Sequence, residues 1–193
     1  MITTLVCLLE ESSAKAFLEG LVARMLPTSI EVKYITFEGK QDLEKQLAMK
    51  MRVWQTPDSA FLIMRDQDAA RCKDVKERLL SRCQESGKEK YLVRIACHEL
   101  ESFYFGDLTS VEAALKMDGL QQYAKRAMYR TPDNIINPSR ELDKITKGRY
   151  QKVSGSKAIG KLISIGENSS HSFHALISGL YKLCEIEGNA NAI

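Results

Sequence analysis

Carboxylates follow three of the short apolar runs in this sequence. Glu10-Glu11 comes after Thr3–Leu9, Asp66-Gln67-Asp68 after Ser59–Met64, and Glu99 and Glu101 after Tyr91–Cys97. Acids gathered at one place repel each other unless a cation neutralises them or some are protonated. Hard divalent cations take such oxygen ligands, and Mg²⁺ typically uses one or two carboxylates, leaving its other positions to water and substrate phosphates. In an extended Asp-x-Asp, residues i and i+2 point the same way, so Asp66 and Asp68 can reach one ion. The competing reading is that each acid is a helix N-cap, with Asp68 capping the helix that follows it. That reading suits any one acid better than it suits three strand ends sharing the property.

The elements that must position these acids are visible as periodicities. Thr3–Leu9 has strand length and strand composition. Ser12 or Ser13 caps a helix in which Phe17, Leu18, Leu21, Val22 and Met25 recur at helical spacing up to Pro27. Ile30–Phe37 alternates apolar and polar. Lys40–Val53 is helical, with Leu43, Leu47 and Met51 four apart. Ser59–Met64 is a buried strand ending at Asp66, Cys72–Cys83 a helix, and Tyr91–Cys97 a fourth strand. A β-α-β-α-β-α-β order with short connections predicts an α/β fold, a parallel sheet with helices on both faces. Ligands of such sheets bind beyond the carboxyl ends of the strands. Glu10 and Asp66 can share an ion only if their strands are neighbours, since adjacent strands lie ~4.8 Å apart. With right-handed crossovers this predicts the strand order 2-1-3-4.

After residue 100 the character changes. Glu99–Phe105, Ser110–Met117, Gly119–Met128 and Ser139–Lys147 read as short helices, separated by polar stretches at Thr131–Asn137 and around Ser154–Ser156. A last amphipathic helix spans about His171–Glu185, and the small polar tail from Gly188 is expected to fray. The expected organisation is an α/β core over residues 1–107 and a helical C-terminal extension of the same domain over 108–193, packed on the sheet.

At 193 residues, with 28 Lys plus Arg against 25 Asp plus Glu, the net charge is only +3. The distribution is uneven. Cys97–Leu120 carries −4, and Gln121–Lys161 carries +7 from ten basic and three acidic residues. An acidic centre beside a basic flank suits a metal site next to an anionic substrate, although a patchy solvated surface gives the same count. Arg140, Lys144, Lys147, Arg149 and Lys152 are the candidate phosphate contacts. No apolar run approaches the ~18–20 residues of a membrane span, and no secretory signal is visible. Five cysteines without a C-x-x-C pair argue for a reducing cytoplasm over disulfides or structural zinc.

Other motifs are weaker. Gly155-x-x-x-x-Gly160-Lys161 approaches a P-loop, but Leu162 stands where Ser or Thr should ligate Mg²⁺ and no buried strand precedes Gly155. It reads as a basic helix start. His171 and His174 share a helix face but lack a further ligand beside them. His98 adjoins Glu99 and could shuttle protons; a packed or exposed histidine is the plainer reading. Trp54 reads as a core or capping residue.

The stretches Leu9-Glu10-Glu11-Ser-Ser-Ala-Lys-Ala-Phe-Leu18, Phe37-Glu-Gly-Lys-Gln-Asp-Leu43, Arg65-Asp-Gln-Asp68 and Arg94-Ile-Ala-Cys-His-Glu-Leu-Glu-Ser-Phe-Tyr-Phe-Gly-Asp107 resemble the bacterial DUF4276 family, which is Toprim-like. Related Toprim proteins include topoisomerases, bacterial primases, M5-type ribonucleases and OLD-type nucleases. They place an acid after the first strand and Asp-x-Asp after the third, and use them to hold Mg²⁺ for phosphoryl chemistry. The resemblance implies Glu10 for the first acid, Asp66 and Asp68 for the pair, and Mg²⁺ or Mn²⁺ as cofactor. Glu11 stands where Gly is frequent, so either Glu10 or Glu11 can be the ligand. Ala69 replaces a Gly after the pair. Glu99 and Glu101 are candidates for a second ion or for orienting water, with one of them expected to point at the metal, because residues two apart diverge on a helix.

The expected function is a Mg²⁺-dependent nuclease acting on nucleic acid. The resemblance also permits an ABC-type ATPase as partner in phage defence. The rival from another class is a non-catalytic Toprim-fold partner or regulatory subunit of an ATPase. A phosphatase with an Asp-x-Asp nucleophile ranks below both, since such motifs usually follow the first strand.

Overall fold

The computed structural model describes residues 1–186, so the expected frayed tail from Gly188 lies outside the described residues. β1 (Thr4–Leu9) is an unbroken apolar run, and all six residues are buried. That is what a strand covered on both faces requires. β2 (Glu31–Thr36) alternates because it is an edge strand, exposing Glu31, Lys33 and Thr36. β3 (Ser59–Asp66) and β4 (Tyr91–Ala96) complete a parallel sheet in the order β2-β1-β3-β4, the order the shared acid site demands. Register aligns the strand ends: Leu9 lies opposite Thr36 on one side and Met64 on the other, and Asp66 lies opposite Ala96.

The pleat sends alternate residues of each strand to opposite faces. Val6, Leu8, Phe61, Ile63, Val93 and Ile95 pack under α2 (Lys40–Arg52) and α3 (Cys72–Glu85), through Leu43, Leu47, Met51, Val75, Leu79 and Cys83. Trp54 closes this layer, its ring edge-on to Phe61 and its indole N–H donating to Ser59 Oγ at 3.0 Å. Leu5, Cys7, Leu9, Leu62 and Met64 face the other way, onto α1 (Ser12–Met25) and the C-terminal helices. These are α4 (Glu101–Phe105), α5 (Leu108–Leu115), α6 (Pro138–Thr146), α7 (Lys152–Leu162) and α8 (His171–Leu183). A buried aromatic cluster of Phe17, Phe103, Tyr104 and Phe173 ties the two halves together. All five cysteines are free, and among the described residues no helix is long and apolar enough to cross a membrane.

The polar separator expected around Ser154–Ser156 is instead the first half of α7. The motif that approaches a P-loop explains why. A Cβ on Gly155 would stand 2.6 Å from the Tyr150 ring, and one on Gly160 would collide with the Phe17 carbonyl oxygen of α1. A Cβ on Gly20 would lie 2.7 Å from the Gly160 carbonyl carbon. Gly160 and Gly20 let α7 lie backbone against backbone on α1, and Gly155 makes room for the Tyr150 ring, so the spaces beside these glycines are filled by the protein itself. The helix expected over Gly119–Met128 shrinks to a 3-10 turn, Gln121–Lys125, because Gly119 is left-handed and the segment buries too little to hold a longer helix.

The α1–α7 contact sets one prediction. Gly160→Ala gains up to about 1 kcal/mol of helix propensity. It places a methyl group against backbone that no rotamer change can move. Overpacking of this kind costs typically ~1–3 kcal/mol. A thermal melt should therefore fall, by about 2–4 °C for each net kcal/mol lost in a chain of this size. An unchanged or raised Tm would mean that α1 and α7 part freely.

Candidate metal centre

The aligned strand ends deliver the acids to one edge. Glu10 follows β1 directly and accepts a hydrogen bond from the Asp66 backbone N–H at 3.1 Å, which ties the end of β1 to the end of β3. Glu11 is the N-cap of α1; Ser13 Oγ donates to one of its oxygens and Lys152 Nζ to the other, at 2.8 Å. Asp66 ends β3. Asp68 follows in a left-handed conformation (φ 56°) and accepts from Lys40 Nζ at 2.9 Å and Arg65 NH2 at 3.1 Å. Its own N–H donates to the carbonyl of His98, also left-handed, so the loops after β3 and β4 brace each other. His98 serves here through its backbone.

Glu99 and Glu101 part company. Glu99 accepts from the Ser139 N–H at 2.7 Å, in the first turn of α6. Glu101 opens α4 and is fully buried. One of its oxygens accepts from the Tyr150 hydroxyl at 2.8 Å, and the other is buried with no hydrogen-bond partner. Tyr150 sits on Gly155 and shares Ser156 Oγ with Tyr104, at 3.0 and 2.8 Å.

Burial and the neighbouring charges shift these groups together. Burial pushes the Asp66 carboxyl well above the usual range, and the carboxylates of Glu101, Glu11 and Glu10 push it further; Lys152 opposes them. Burial also raises Glu101, against the Tyr150 hydrogen bond and Lys152. Glu10 is raised by burial, against the Asp66 N–H and Arg65. Burial depresses Lys152, but its hydrogen bond to Glu11 and the charges of Glu11, Glu101 and Asp66 outweigh this and raise it. Glu10, Glu11, Asp66 and Glu101 therefore form one electrostatic unit with Lys152. Asp68 joins through Glu10 and Arg65.

Arg65 was not singled out by type or spacing, and it is the second cation of the site. It is 3% exposed, and its guanidinium meets Glu44 at 2.7 Å, Asp68 at 3.1 Å, Glu10 at 3.8 Å and the Asp66 carbonyl at 2.8 Å. A charge within an otherwise apolar strand, Ala60-Phe-Leu-Ile-Met-Arg65, was the readable signal. Tyr150 had none. The candidate phosphate contacts are all exposed, Arg140, Lys144, Lys147 and Arg149 on α6 and the turn after it, and Lys152 at the start of α7, where it pairs with Glu11. His174 bonds the Asn168 carbonyl through its ring, at the start of α8 beside His171.

Among the described residues, no three His, Cys, Asp or Glu side chains are gathered into a preformed metal-ligand set. Arg65 and Lys152 stand among the acids instead. The donor chemistry nevertheless suits a hard divalent cation: all donors are carboxylate oxygens, they raise one another's pKa, and Glu101 keeps a buried oxygen without a partner.

A family model described as a domain of unknown function, DUF4276, matches residues 9–181. No curated protein matches the chain. Among solved structures, the C-terminal region of the Burkholderia pseudomallei OLD protein shares the fold with a TM-score of 0.52. The identity is 13%, and the match covers 93% of this chain and 96% of that one.

The raised acids predict a stability signature. A carboxyl whose folded pKa exceeds its unfolded value binds more protons when native, so stability falls as pH rises through that interval. Asp66→Asn removes the group with the largest conflict. In EDTA at pH 8 its Tm should exceed the parent's, and the difference should shrink as pH falls toward 5. A Tm for Asp66→Asn equal to or below the parent's at pH 8 would show that the acids are not in conflict.

Proposed function

We propose, from the premise that this chain belongs to the DUF4276 family, that it is a Mg²⁺- or Mn²⁺-dependent, Toprim-like nuclease cleaving phosphodiester bonds. The observation that carries this reading is the convergence of Glu10, Glu11, Asp66 and Glu101 from three strand ends, with a buried Glu101 oxygen left unpartnered. The fold shared with the C-terminal region of the OLD protein supports it.

Glu10, Asp66 and Asp68 would hold one cation, with Glu11 beside them, and Glu101 would serve a second ion or orient water. A divalent cation bound there supplies charge neutralisation of a phosphodiester and lowers the pKa of bound water. The protein's own residues do the rest. Arg65 fixes Asp68 and Glu10 from below, so the acids cannot fold back into the core. Tyr150 holds one oxygen of Glu101, and the other stays buried without a hydrogen-bond partner. Lys152, at the mouth of the cluster, can trade Glu11 for a substrate phosphate, and the exposed cations of α6 and its following turn extend that phosphate track.

Lys152 also supports the rival, in which the fold is a non-catalytic partner of an ATPase and the lysine neutralises the acids permanently. Calorimetry with Mn²⁺ separates the two, because an adaptor has no need to bind the ion. Asp66→Ala should abolish that heat and lower cleavage of a labelled oligonucleotide by orders of magnitude, while binding of nucleic acid in EDTA survives. Parent-like cleavage by Asp66→Ala, alone or with a neighbouring ATPase, would remove the catalytic assignment. Absence of both metal heat and cleavage from the parent would put the adaptor first.

A further inference from the structure

The acids occupy one edge of the sheet and leave most cations of the C-terminal half unexplained. Lys125, Arg126, Arg130, Arg140, Lys147 and Arg149 are all exposed, and none has a carboxylate within ion-pair distance among the described residues, whereas Lys144 meets Glu141 at 3.7 Å and Lys152 meets Glu11 at 2.8 Å. A cavity of about 280 Å³ opens in this basic face where α5 and α6 both end. Tyr123, Gln122, Asp118, Lys147 and Arg149 line it. The volume falls below the ~300–1,000 Å³ typical of drug-sized sites and suits one flat group.

Tyr123 is a prepared wall. It is half-buried, the Arg126 guanidinium lies over one face of its ring, 4.2 Å from the centroid, and Tyr129 meets it edge-on at 6.2 Å. The left-handed Lys147 and Gly148 reverse the chain so that Lys147 and Arg149 both reach the cavity. The cavity lies at the negative dipole ends of two helices, which oppose a phosphate inside it and suit the amino edges of a base. Cations at the rim suit the phosphates outside it. Asp118 and Gln122 offer acceptors and donors to base edges. Arg149 is followed directly by Tyr150, whose hydroxyl holds Glu101, so one short segment contributes both to the cavity and to the acid cluster.

We infer that this cavity is a base-binding subsite for single-stranded nucleic acid, with Tyr123 as the stacking wall and Lys147 and Arg149 on the flanking phosphates. A paired base cannot enter it, because its edges and faces are taken within the duplex. The inference rests on the phosphodiester reading for why a strand reaches this face, but it is tested by binding alone.

The experiment is fluorescence anisotropy in EDTA with the full chain, using labelled oligo-dU, oligo-U and a hairpin duplex of equal length. Single strands should bind at least about tenfold tighter than the duplex, and the deoxy and ribo arms show which sugar is preferred. Tyr123→Ala should weaken single-strand binding about tenfold or more and Tyr123→Phe should not, as expected for stacking. Lys147→Ala should flatten the log–log salt slope by about 0.7, and Tyr123→Ala should leave it unchanged. Ultraviolet crosslinking of the parent to 5-iodouracil oligonucleotide should map to Tyr123, a readout that does not depend on how well a variant folds. Parent-like binding by Tyr123→Ala, equal loss for duplex and single strand, or a crosslink elsewhere overturns the subsite. Tyr123-dependent binding without Mn²⁺-dependent cleavage keeps the subsite and removes the nuclease; cleavage by a parent whose binding ignores Tyr123 does the reverse.

Discussion

Carboxylates from three strand ends repel one another at one edge of a sheet unless cations stand among them or some are protonated, and much of this structure arranges such cations. Arg65 comes from within the sheet itself. It is the penultimate residue of β3, buried between the strand ends and α2, and it meets Glu44, Asp68 and Glu10 at once. A buried guanidinium without acids would be very costly, and so would these acids without it. Each side of the arrangement therefore requires the other. Lys152 comes from the far end of the chain and approaches from solvent, where it reaches Glu11 and lies near Asp66 and Glu101.

The reach of Lys152 depends on backbone packing. α7 brings its first residue to the start of α1 because Gly160 and Gly20 let the two helices touch without side chains between them. Arg24 secures the other end, donating to the carbonyls of Gly160 and Ile163 at 3.1 and 2.7 Å. The same helix carries Gly155 and Ser156, which seat Tyr150 against Glu101. The C-terminal half thus supplies a cation and a hydrogen-bond donor to a cluster whose acids all come from the first 101 residues.

Conflict is concentrated at this edge. The raised carboxyls of Asp66, Glu101 and Glu10, the left-handed Asp68 and His98, and the unpartnered Glu101 oxygen all lie there, while the two apolar layers below are continuous. Unfavourable electrostatics and strained backbone persist only where surrounding structure holds them, and they cluster at sites that bind something. The protein's internal cations relieve the acids only in part, since Asp66, Glu101 and Glu10 remain raised.

The sequence by itself determined the strands and their order. Apolar runs of strand length and helical spacings between them are local patterns, and the requirement that Glu10 and Asp66 lie side by side selected 2-1-3-4 from the remaining topologies. It also marked the acids at the strand ends. Only the tertiary structure decided what faces them. Glu101 lies close enough to raise Asp66 while Glu99 turned to α6, Lys152 paired with Glu11, and Tyr150 became the partner of Glu101. Ser154–Ser156 became helix because α1 lay against it, a fact absent from its own composition. Periodicity records which side of an element is buried. It carries nothing about which distant residue lies opposite, because that depends on packing between elements far apart in the chain.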